Sequence, residues 1–103
     1  SLSSTHLTNI YTVHTNLTAI IRDIFLTNLD GSSAVDATLK YTDTSASATF
    51  SLLSTKIIAA DDFLRIDDAH IILEEGDILK AQAGAANDLE ITAFVEEFHR
   101  PQG

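Results

Sequence analysis

The side chains best equipped for chemistry in this sequence are its histidines and its paired carboxylates. Histidine titrates near neutral pH and is the commonest metal ligand. Yet His6, His14, His70 and His99 do not recur at the short spacings by which zinc sites collect their ligands. Each reads instead as a surface or interface residue at a strand end. The densest charge lies in Asp61-Asp62, Asp67-Asp68 and Glu74-Glu75, with Asp77 close behind. Adjacent loops of this kind could offer calcium several oxygen ligands at roughly 2.3–2.6 Å. Their spacing fits no calcium-loop pattern, and Asn28-x-Asp30-Gly31 lacks the downstream glutamate of an EF-hand. Solvated turn carboxylates, which discourage edge-to-edge aggregation, are the simpler reading.

Serine and threonine are plentiful, but no Gly-x-Ser-x-Gly elbow and no phosphate-cradling glycine loop occurs. Cysteine is absent, which removes thiolate nucleophiles, disulfides and thiolate metal sites. The expectation is a protein with no catalytic residues, no cofactor and no metal. Fifteen acidic against six basic residues give a net charge of −9 without a basic stripe, so phosphate is repelled and nucleic acid is not an expected partner. No apolar run approaches the roughly 20 residues of a membrane helix, and no membrane partner is expected. Ser1-Leu2-Ser3-Ser4-Thr5 lacks the basic and apolar regions of a signal peptide, so export by that route is not expected. Asn16-Leu17-Thr18 is formally a glycosylation acceptor, which without such a signal reads as chance.

The elements that would hold these residues are strands. Val35, Ala37, Leu39 and Tyr41 alternate with Asp36, Thr38 and Lys40, and Leu89, Ile91, Ala93 and Val95 with Glu90, Thr92 and Glu96. Successive strand side chains point to opposite faces, so each pattern gives one buried and one wet face. Further strands are predicted near Asn9–His14, Leu17–Thr27, Ala48–Leu53, Phe63–Ile66, Ile71–Leu73 and Ile78–Ala83. Turns fall at Asn28–Ser33, Glu75–Asp77 and Gly84–Asp88, and a helical turn is allowed at Ala59–Phe63. About eight strands in 103 residues, 45% of them apolar, predict an all-β, antiparallel, jelly-roll-like sandwich. It occupies residues 9–98, between a flexible amino-terminal arm (1–8) and a tail (99–103) that includes Pro101. Phe94 breaks the wet face of its strand and suggests cover by a neighbouring subunit. Leu2, Leu7 and Phe98 fall outside the alternating strands, so their burial is expected to come from a partner.

Ala19-Ile20-Ile21-Arg22-Asp23-Ile24-Phe25-Leu26-Thr27-Asn28 resembles a strand of small β-sandwich proteins from the structural gene clusters of tailed bacteriophages. Thr18 to Asn28 follows their Thr-Ala-x4-Ile-x-Leu-x-Asn form. Asp30–Ser33 stands for the turn, Val35–Tyr41 for the alternating strand, and Leu89–Phe98 for the last strand. Leu73-Glu74-Glu75-Gly76-Asp77-Ile78-Leu79 supplies the Leu-x-x-Gly-Asp element, which also looks like one in trimeric jelly rolls of the tumour-necrosis-factor and complement type. The resemblance spans most of residues 10–98. It implies a virion protein on the outer surface of a phage capsid: a decoration (cement) subunit, homotrimeric, with the major capsid protein as partner. The competing expectation is a receptor- or carbohydrate-binding module of a phage tail. Sugar sites usually offer exposed aromatics, and the absence of tryptophan argues against that module.

Overall fold

The computed structural model describes residues 2, 5–67, 71–85 and 87–99, which form eight strands and no helix. These are β1 (Thr8–Thr12), β2 (Leu17–Asn28), β3 (Val35–Asp43), β4 (Ala48–Ile58), β5 (Phe63–Ile66), β6 (Ile71–Leu73), β7 (Ile78–Ala83) and β8 (Leu89–His99). Every pairing is antiparallel. One sheet, the β3 sheet, has the order β1-β7-β3-β4. In the other, the β2 sheet, β8 runs along the whole of β2, from Leu17–His99 to Asn28–Leu89. β5 and β6 pair with the opposite edge, against Ile24–Thr27 and Ala19–Ile21. The β2 sheet is therefore three strands wide, with β5 and β6 sharing one edge. Among the described strands, only β3–β4 is a sequential hairpin; the other connections change sheet or, from β5 to β6, continue along β2.

The core follows from period-two alternation. Val35, Ala37 and Leu39 of β3 and Leu79, Ala81 and Ala83 of β7 face Ala19, Ile21, Ile24, Leu26, Leu73 and Leu89 of the β2 sheet, all buried. Each buried leucine or isoleucine contributes about 1.5–3 kcal/mol by leaving water. In β2 the inward series steps from Ile21 to Ile24. A β-bulge between Ile21 and Asp23 supplies the extra residue and keeps both halves of the strand facing the core.

Two buried polar residues fix the connections. Asn28 donates Nδ2 to the carbonyls of Ser33 (2.9 Å), Ile58 (3.0 Å) and Ala59 (3.2 Å), and its Oδ1 accepts from Asp30 N at 2.9 Å. Asp77 accepts from Thr44 N through Oδ1 (3.0 Å) and from Glu74 N through Oδ2 (2.9 Å). Gly76 beside it has φ 85°, a conformation that side chains oppose. The Leu-x-x-Gly-Asp element is thus a turn clamp that ties the β6–β7 and β3–β4 loops together.

The structure corrects three expectations. Ala59–Phe63 is not a helical turn: Asp62 N donates to Ala59 O at 3.1 Å, and Asp61 takes φ 57° to send the chain into β5. Leu2 needs no partner for its burial. It is 7% exposed in the chain's own core, its N donates to Leu89 O (2.9 Å), and its carbonyl accepts from Asn87 N (2.6 Å). Phe98 lies inside β8, opposite Thr18. Asp68, His70 and residues 100–103 lie outside the described residues.

Candidate functional site

The outer face of the β2 sheet gathers the exposed Phe63, Phe94 and Phe98 into one surface, while Phe50, 45% exposed, stacks on Tyr41 in the other sheet. Register places the first three. Along β2, Thr18, Ile20, Asp23, Phe25 and Thr27 point away from the core, out of phase with Ala19, Ile21, Ile24 and Leu26. Their partners share that face: Phe98 opposite Thr18, Glu96 and Ile72 opposite Ile20, Phe94 opposite Asp23, Arg65 opposite Phe25, and Phe63 opposite Thr27. Ile72 is 63% exposed, Phe63 60%, Phe94 52% and Phe98 46%. Isolated exposed apolar residues are ordinary, but a contiguous set on one sheet face marks an interaction surface.

The centre of the face is ordered by its own contacts. Phe25 and Phe94 meet edge to face at 5.8 Å between centroids, and the Arg65 guanidinium lies 5.1 Å from the Phe25 ring centre. Arg65 also pairs with Asp23 (3.4 Å) and Asp67 (3.3 Å), and Arg22 with Glu96 (2.8 Å). Two of the six basic residues therefore stand here, each beside an acid, in a chain whose surface is otherwise strongly acidic. Aromatic rings and arginine are the groups that dominate protein interfaces.

Phe94 and Phe98 thus share one surface. Leu7 is 38% exposed near the start of β1, and Leu2 is in the core. The sequence reading missed Ile20, Phe25, Phe63, Arg65 and Ile72 as members of the face. A signal for it was present: Ile20-Ile21 and Ile24-Phe25-Leu26 are apolar at consecutive positions, the mark of a strand covered on both sides. Among the described residues the chemistry-bearing side chains do not converge. His6, His14 and His99 are exposed, as are Asp61, Asp62, Asp67, Glu74 and Glu75, and among the described residues no three histidines or carboxylates are grouped to hold a metal. Asp30 is held below the usual aspartate range by hydrogen bonds from the Ser32 backbone and hydroxyl and from Ser33 N, and Asp43 likewise by Ser45 and Ala46 N. Both act as turn caps. Compared with known proteins, the chain matches no protein-family model, no curated protein and no solved structure.

Proposed function

We propose that this chain is a structural assembly subunit and not an enzyme. It forms a closed homo-oligomer through the outer face of its β2 sheet, a trimer on the likeness of its Leu73–Leu79 element to trimeric jelly rolls, and the oligomer decorates a phage capsid by binding the major capsid protein. The observation that carries the self-contact is the apolar face of Phe63, Ile72, Phe94 and Phe98. A second copy is a fitting occupant because the face holds both signs of charge, Arg22 and Arg65 beside Asp23 and Glu96, so opposite charges on neighbouring copies can meet head to tail around a ring. Its size is adequate. An 11-residue strand at ~3.3 Å per residue, in a sheet three strands wide at ~4.8 Å, spans about 500 Å² in projection. Side-chain relief raises that toward the ~800 Å² per partner of a standard interface. The capsid part of the proposal rests on the phage-protein resemblance. Many modest contacts on a symmetric lattice would act together there.

Sedimentation tests the self-contact. The intact chain should run as a closed oligomer at micromolar concentration, and the Phe94→Glu, Phe98→Glu double variant as a folded monomer. A native chain that stays monomeric overturns it. Electron microscopy of the source particle tests the placement: many copies on heads support decoration, and a few copies on tails replace it with the tail-module reading.

A further inference from the structure

The outer face of the β3 sheet carries a dent that the docking face does not explain. It encloses about 180 Å³ and is lined by Asp36, Thr38, Thr55, Gln82, Ala83 and Gly84. Asp36, Thr38 and Lys40 alternate with buried Val35, Ala37 and Leu39, and Lys80 and Gln82 with buried Leu79, Ala81 and Ala83, so all five point outward. Thr38 stands opposite Gln82, and Lys40 opposite Lys80.

On the β4 side, Ser54 and Thr55 both face the single Thr38, between the Ala37–Lys56 and Leu39–Leu53 pairs. Such a bulge re-aims side chains and recurs beside binding sites. Thr55 has φ 50°, a left-handed conformation that a β-branched residue rarely adopts. Strain of this kind persists where the surroundings impose it, and it clusters at ligand sites.

The dent has hydrogen-bonding capacity to spare. Thr38 Oγ1 accepts from Thr55 N at 3.1 Å, which leaves its hydroxyl proton to donate. Gln82 Nε2 donates to Thr5 O at 2.9 Å, which anchors the amide and leaves Oε1 as an acceptor. Beyond them, two of the chain's three lysines stand directly opposite each other, an arrangement that repels in the absence of an anion. Their other cross-strand neighbours, Asn9 and Ser51, are uncharged. Among the described residues no carboxylate pairs with either ammonium. Asp36 is four residues from Lys40 along β3, about 13 Å apart in the backbone at strand rise, with Thr38 between them on the same face.

We propose that this dent binds a single uronic-acid residue at the end of an otherwise neutral glycan. Ring hydroxyls donate to the Asp36 carboxylate and Gln82 Oε1 and accept from Thr38, while the sugar carboxylate lies between Lys40 and Lys80. The dent is smaller than the ~300–1,000 Å³ of pockets for drug-sized ligands and suits one ring. A neutral sugar leaves the lysines unpaired, and a bare carboxylate leaves Asp36 and Gln82 unused.

Amide-shift titrations of the intact chain with glucuronate, glucose and acetate test the site. Glucuronate should give saturable shifts at Thr38, Thr55, Gln82 and Gly84, with affinity about tenfold above glucose or acetate, a gap of ~1.4 kcal/mol. Lys80→Gln should lower glucuronate to the level of glucose, and Gln82→Ala should weaken both sugars and leave acetate unchanged. No saturable shift with glucuronate, or equal shifts with acetate, overturns the proposal. Phe94→Glu with Phe98→Glu, on the opposite sheet, should leave the titration as it is, so this site and the docking face succeed or fail separately.

Discussion

The two sheets cover one core and turn different chemistry to the solvent. Outward positions of the β3 sheet are mostly polar: Asp36, Thr38, Lys40, Thr42, Lys80 and Gln82, with Ile57 and Ile78 as exceptions. Outward positions of the β2 sheet carry Ile20, Phe25, Phe63, Ile72, Phe94 and Phe98. Because strand side chains alternate, the outward set can change without disturbing the inward one. The β3 sheet shows that a largely polar exterior is compatible with this interior. Folding therefore does not call for the aromatic exterior of the β2 sheet, and that exterior asks for another cause.

The comparison breaks most severely if the interiors beneath the two faces differ. Leu26→Ala under the apolar face and Leu39→Ala under the polar one should each cost about 2–5 kcal/mol, read as shifted urea midpoints at unchanged slope. A second test exchanges the character of the apolar face. Phe94→Glu should weaken self-association about 30-fold or more, the size of an interface hot spot near 2 kcal/mol. The unfolding free energy of the dissociated subunit should fall by only about 0.5–1.5 kcal/mol, the loss of the Phe25 contact. On the polar face, Lys80→Glu turns a like-charged pair with Lys40 into an opposite one and should stabilise by roughly 0.2–1 kcal/mol, visible as a small rise in Tm.

The smallest effect concerns one of the hydrogen bonds between the sheets. Tyr11 of β1 donates to Glu97 of β8. Burial, then the Glu97 hydrogen bond and charge, push the Tyr11 pKa from 10.0 up to about 12. The folded state favours the neutral phenol, so this stability is complete below pH 10 and is lost as pH rises through about 12. Tyr11→Phe should remove that segment of the alkaline melting profile and cost about 0.5 kcal/mol at neutral pH, the low end for one hydrogen bond.

Strands were legible wherever alternation was intact, as in Val35–Tyr41 and Leu89–Val95. β4 reaches Ile58, beyond the expected Leu53, because register shifts on either side of Leu39 interrupt the period that announces a strand. Phe94 could be read as misplaced on a wet face. Its companions could not, since Phe63 and Ile72 reach it only through register with β2. Leu2 was misread because one apolar residue among serines has no period, and its burial depends on a tertiary bond to Leu89. The polar dent was invisible for a related reason: Thr38, Thr55 and Gln82 are far apart in sequence, and a bulge brings them together.

The clasp between Leu2 and Leu89 also sets how the subunit would carry tension. Leu89 and His99 are the two ends of β8, ten steps or about 33 Å apart, and Leu2 is bonded at the Leu89 end. A pull applied at Leu2 and His99 thus runs along the backbone of β8, in series with the Leu2–Leu89 clasp. The clasp, with its two hydrogen bonds, yields before the ladder with β2 takes load. Tethers attached at these two positions would leave from opposite ends of β8, with the strand's longest ladder in line between them.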